Sequence, residues 1–167
     1  MRHVIFTILI VLFAQSAWAH KPSDSYLSLT VQAAQISGRW DIALRDLNDA
    51  IGLDTDDDGT ISWGEVRTKH AAIASYAFSR LKLHSSDAIC AIAVGDQLVD
   101  HHTDGAYAVL QFIATCPTET HHLTIDYRLL FDLDAQHKGL LRLSDETHTQ
   151  TAMFSQESPA HSFAMGE

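Results

Sequence analysis

Asp54, Asp56 and Asp58 stand at alternate positions of a twelve-residue run, Asp54 to Glu65 (DTDDDGTISWGE). On a tightly curled loop, alternate carboxylates can all point inward. That suits a hard cation that takes six to eight oxygens. Gly59 is sixth, where the chain must reverse with positive φ. Ile61 is eighth, and Glu65, twelfth, opens the next helix and can close the shell with both carboxylate oxygens. The carbonyl of Thr60 is the seventh-position ligand, and Ser62, ninth, serves directly or through water. This is the EF-hand calcium pattern at every defining position. An Asp-rich surface turn would explain the Asp-Gly pair but not the six offsets. Magnesium is the near competitor, but seven-fold coordination with a bidentate Glu favours calcium.

Asp132-Leu-Asp134 begins a similar run, but His137 stands where glycine is needed and Leu143 where the glutamate is needed, so it is rejected as a second loop. A lone hand cannot open a groove between two hands, so calcium is expected to act as a structural staple. Extracellular modules of this kind bind in the range of about 10⁻⁴–10⁻³ M. Eleven histidines include the pairs His101-His102 and His121-His122. Neighbours on a strand point to opposite faces, so neither pair is a ready two-ligand site. His70 reads as a partly covered helical histidine. No Gly-x-Ser-x-Gly, His-Glu-x-x-His or Gly-rich phosphate loop occurs, and the carboxylates are accounted for by calcium, so no enzymatic activity is expected.

These residues need a scaffold. The chain is 46% hydrophobic and 19% charged, enough for a core. Met1-Arg2-His3 followed by the apolar run Val4 to Phe13 and by Ala17-Trp18-Ala19 reads as a secretory signal peptide over residues 1–19. A ten-residue run is too short to span a bilayer, which takes about 20. Cleavage leaves His20 to Glu167, 148 residues, with His20 as the new N-terminus. An amine and an imidazole on one residue chelate nickel or copper, so His20 is a second candidate metal site. Export to the periplasm predicts that Cys90 and Cys116 pair. No later stretch is long and apolar enough to cross a membrane.

Tyr26 to Val31 alternates apolar and polar and reads as a strand. Ser37-Gly38 reads as a turn, with Trp40 to Leu44 returning. Leu44, Leu47 and Ile51 mark a short helix before the Asp loop, and Trp63 to Leu83 reads as one helix with Val66, Ile73, Ala77 and Leu81 as its apolar stripe. Beyond Asp87 the chain reads as β. Strands are expected over 88–94, 97–101, 107–116, 122–130, 140–143 and 147–154, with turns at Gly95-Asp96, Thr103-Asp104-Gly105 and Lys138-Gly139. The expected architecture is mainly β: an antiparallel, Ig-like β-sandwich over 20–157, a helix–loop–helix EF-hand unit inserted at 44–83, and a C-terminal tether at 158–167.

Net charge is −10 from 21 acids and 11 Lys+Arg. Loss of the leader removes Arg2 and leaves −11. Eight acids and one base lie between Asp41 and Glu65, so −7 is concentrated in the calcium loop and its approach. No Lys/Arg cluster exists to neutralise phosphates, which argues against nucleic acid and anionic lipid as partners.

Three stretches carry a family resemblance: His20 to Leu29 (HKPSDSYLSL), Trp40 to Leu47 (WDIALRDL) with the Asp loop, and Leu130 to Arg142 (LFDLDAQHKGLLR). Together they resemble the extracytoplasmic N-terminal region of bacterial HupE/UreJ-type membrane proteins, the hydrogenase/urease accessory family. In that family a multi-helix membrane domain follows, associated with nickel or cobalt uptake. These 167 residues correspond to the region before it, so the resemblance implies a periplasmic accessory domain with a membrane transporter or accessory protein as partner, not transport itself. The expected function is a calcium-binding accessory or interaction domain. The alternative is a nickel or copper delivery module using His20.

Overall fold

The computed structural model describes residues 23–166. The leader and His20 lie outside them. The chain forms β1 (Asp24–Gln32), β2 (Gln35–Ala43), α1 (Leu44–Ile51), α2 (Trp63–Thr68), α3 (His70–Phe78), β3 (Leu81–Ser85), β4 (Ala88–Ile89), β5 (Ala91–His102), β6 (Gly105–Thr115), β7 (His122–Tyr127), β8 (Lys138–Ser144), β9 (Thr149–Phe154) and β10 (Ala160–Ala164). Six strands make one sheet in the order β5-β6-β2-β1-β8-β9, and four make a second, β10-β7-β3-β4. The result is a mainly β sandwich with three short helices. All pairs are antiparallel except β1 with β8.

The period-two pattern produces the core. Leu27, Leu29 and Val31 of β1, Ile36, Trp40 and Ile42 of β2, and Leu110, Phe112 and Ala114 of β6 are buried. They meet Leu81, Leu83, Leu123, Ile125 and Tyr127 of the smaller sheet, and burial of such side chains is the main force holding the sheets together. Trp40 touches Tyr127 across the sandwich with ring centroids 5.5 Å apart. Phe78 of α3 closes one end, 5.1 Å edge-on from Phe112.

The Cys90–Cys116 disulfide is present. Cys90 lies where the chain passes from β4 in the small sheet to β5 in the large one, and Cys116 follows β6, so the bond pins the crossing. Among the described residues no helix is long and apolar enough to cross a membrane.

Several local expectations are corrected. The first reversal is at Ala33-Ala34, with Ala33 at φ 52°, and Ser37-Gly38 lies inside β2. Gly38 is there because the Phe112 ring occupies the space of a side chain: a Cβ would sit 2.1 Å from it. Gly95-Asp96 is a bulge within β5, whose two halves both pair with β6, and a Cβ on Gly95 would meet the Gln111 carbonyl oxygen at 3.0 Å. Lys138-Gly139 belongs to β8, with the Tyr127 ring against Gly139. The single helix over 63–83 is two, broken at Lys69 and ended at Phe78. Leu81 and Leu83 pair with Tyr127 and Ile125 instead, so the inserted unit ends near residue 80. The strand from His122 stops at Tyr127, and Leu130 turns with φ 61°. The segment 158–167, expected as a tether, contains β10, which pairs with β7 over Ala160–Ala164.

Candidate metal centre

α1 delivers the Asp loop. Its Leu44 and Leu47 are rooted in the core, and it ends at Gly52, whose φ of 63° is the left-handed cap. The Gly52 N–H donates to the Asn48 carbonyl at 2.8 Å. The Asn48 side-chain Oδ1 accepts the N–H groups of Leu53 (2.7 Å) and Asp54 (2.8 Å).

The loop then curls on its own backbone amides. Asp54 Oδ2 accepts from Gly59 N at 2.9 Å, and Asp58 Oδ1 from Thr60 N at 2.7 Å. Gly59 has φ 81°, the reversal anticipated for the sixth position. One carboxylate oxygen each from Asp54, Asp56 and Asp58 lies within 4.8 Å of the others. The Asp56 carboxyl accepts the Asp58 N–H, which lowers its pKa. Repulsion from the Asp58 and Glu65 charges, with desolvation, outweighs this and holds it above the ordinary carboxylate value. Asp54 Oδ1 is buried and has no hydrogen-bond partner. A buried carboxylate oxygen without a donor is costly, and a cation amid these three carboxylates would satisfy it.

Ser62 and Glu65 stand together at the neck of the loop. Ser62 caps α2: its Oγ accepts the Glu65 N–H, and Glu65 returns a carboxylate oxygen to the Ser62 N–H, a capping box. The other Glu65 oxygen, Oε1, accepts the Thr55 N–H at 2.6 Å and its hydroxyl at 2.9 Å. The Thr55 amide, the Ser62 amide and both hydroxyls hold the Glu65 carboxyl down at about 2. The structure thus groups the three Asp side chains, and places Glu65 beside Ser62 rather than among them. The Thr60 amide braces Asp58. Ile61 packs against the core and lines, with Leu44 and Tyr107, a shallow cavity of about 230 Å³ toward the sandwich.

Two polar clusters were not anticipated. Asp41, Asp100 and His102 approach within metal-ligating range. The Arg39 guanidinium already spans both carboxylates, at 2.8 Å to each Asp41 oxygen and 2.6 Å to Asp100, so this is an ion-pair network. The second cluster is buried. Ser23 Oγ donates to Asp46 Oδ2 at 2.7 Å and lies 2.6 Å from His137 Nδ1. His137 Nε2 is 2.8 Å from the Tyr127 hydroxyl, which also contacts Ser25 Oγ. The cluster's members lie far apart in the sequence, so no local spacing points to them. His137, which disqualifies 132–143 as a second loop, is the hub. Comparison with models of known protein families gives no match to this chain, and comparison with curated proteins gives none.

Proposed function

We propose that the chain is a periplasmic calcium-binding accessory domain, in which one EF-hand built on α1 and α2 takes calcium through Asp54, Asp56, Asp58, Thr60, Ser62 and Glu65. The observation that carries this is the buried Oδ1 of Asp54, which has no hydrogen-bond partner, on a residue that groups its carboxylate with those of Asp56 and Asp58. Glu65 joins the ligand set by exchanging its hydrogen bonds to Thr55 for the cation. Calcium in this role fixes the hand against the sandwich and presents one surface to a membrane partner of the kind the HupE/UreJ-type resemblance implies. The disulfide supports an oxidising compartment, and with it export through a cleaved leader. No catalytic role is assigned.

The test is calcium titration followed by melting temperature and by terbium luminescence sensitised through Trp63, half exposed in the loop. Calcium at a hundred times Kd should stabilise the fold by about 2.7 kcal/mol. Asp54→Asn and Glu65→Gln should each remove most of that shift. Unchanged terbium binding in both variants would sink the reading.

A second reading rests on His20. It lies three residues before Ser23, which lines a cavity of about 130 Å³ with Asp46, Asp49 and Asp134. Nickel and copper titrations of the processed chain, against one with an extra N-terminal residue, test it. Equal affinities would exclude His20.

A further inference from the structure

The loop's first carboxylate has to enter at the right angle, and α1 does not carry it there directly. The helix stops at Ile51, and two residues of irregular backbone, Gly52 and Leu53, intervene before Asp54. Beyond a helix end the backbone amides leave the regular ladder and need acceptors of their own. Here three successive ones are taken by a single residue. The backbone carbonyl of Asn48 accepts Gly52 N–H at 2.8 Å, and its side-chain Oδ1 accepts Leu53 N–H at 2.7 Å and Asp54 N–H at 2.8 Å. An amide oxygen has two lone pairs, so Oδ1 is saturated and both peptides are fixed.

Fixing the Asp54 peptide fixes where its side chain starts, and the Gly59 N–H then holds the carboxylate in one orientation. One Asp54 oxygen accepts the Gly59 N–H, the other is buried without a hydrogen-bond partner, and the carboxylate is grouped with those of Asp56 and Asp58. Leu53, fully buried, and Leu44 and Leu47 of α1 root both sides of this junction in the core.

We propose that Asn48 is a positioning residue for the cation loop, holding the Asp54 backbone so that the carboxylate is set for the ion before it arrives. The proposal rests on the calcium reading of residues 54–65. It predicts a side-chain requirement: Asp keeps an acceptor oxygen in the same place, Ala has none, and Gln moves it by one methylene.

The experiment measures calcium affinity by calorimetry and melting temperature in EDTA for the full chain and for Asn48→Ala, Asn48→Gln and Asn48→Asp. Loss of two hydrogen bonds that orient a ligand should weaken calcium binding roughly tenfold in the Ala and Gln variants. Asn48→Asp should return the affinity to within about threefold of the parent. If Asn48→Ala is unfolded in EDTA, Asn48→Gln carries the comparison. Parent-like affinity in the folded Ala or Gln variant overturns the role of Asn48, and so does equal weakening in Asn48→Asp. If the parent itself takes up no calcium at millimolar concentration, the silent parent titration removes the calcium reading and this inference with it.

Discussion

Tyr127 and His137 lie nearly parallel, 7° apart with ring centroids at 6.1 Å, and the Tyr127 hydroxyl stands 2.8 Å from His137 Nε2. Donor counting orients the whole buried chain. Ser23 gives its one proton to Asp46, so His137 Nδ1–H donates to Ser23. Nε2 then accepts from Tyr127, which accepts from Ser25. A neutral imidazole satisfies every link, and an imidazolium would turn Nε2 into a second donor facing a hydroxyl.

This makes stability depend on pH in a defined window. Burial pushes His137 down to about 4, helped by Lys138 and opposed by Asp46 and Asp134. The folded value lies below the unfolded value of about 6.5, so the unfolded chain binds the extra proton first. Stability is full above about pH 6.5 and falls as pH drops toward 4, by about 3 kcal/mol from this group. Urea unfolding at a series of pH values should show that loss. His137→Gln should be less stable at pH 7.5 but should flatten the slope. An equal slope in the variant would assign the dependence to other groups.

Gly38→Ala should destabilise the fold by about 2 kcal/mol, since a Cβ would stand 2.1 Å from the Phe112 ring. The ring is buried and held edge-on by Phe78, so it has little room to withdraw. Adding Phe112→Leu should restore part of the loss, and a double-mutant cycle measures the coupling. Purely additive effects would show that Phe112 is not the obstacle.

Three glycines mark where the sequence was hard to read. Gly38, Gly95 and Gly139 each look like punctuation, and each lies within a strand because a ring or carbonyl from far along the chain fills the Cβ position. Chain reversal and close approach both select glycine, and only the partner distinguishes them. Leu81 continues a helical stripe and Leu83 ends the expected helix, but their strand partners lie more than forty residues on. Residues 54–65 were legible because the loop is local: each carboxylate is oriented by amides within a few positions. Asn48 is not legible in the loop's pattern because it acts from the preceding helix, outside the twelve residues. The His137 network is not legible because its members come from four separate segments, around residues 23–25, 46, 127 and 137.

Replacing Cys90 and Cys116 together by serine should lower stability by about 3 kcal/mol in the absence of calcium, through release of the closed loop in the unfolded chain. Guanidinium unfolding of the oxidised, reduced and doubly substituted chains checks this. The last two should coincide.

Truncation after Glu157 should cost on the order of 3 kcal/mol, because Phe163 and Met165 pack on the core from the segment it removes. It also removes Gly166 N–H from Asp145 Oδ2, one of the bonds that hold the β8–β9 turn. Calorimetry of the shortened chain tests this. A melting temperature equal to the parent's would reduce β10 to an ornament on the edge of β7.

The parallel pairing of β1 with β8 governs the order of assembly. β1 sits between β2 and β8 in the larger sheet, with Asp24–Thr30 matched to Lys138–Ser144. The β1–β2 hairpin can close early from neighbouring residues, but the other side of β1 has no partner until almost the whole chain is available. Such distant pairing slows folding. For a chain emerging N-terminus first, that waiting edge, carrying Leu27, Leu29 and Val31, is the surface on which a premature encounter with another strand would be captured.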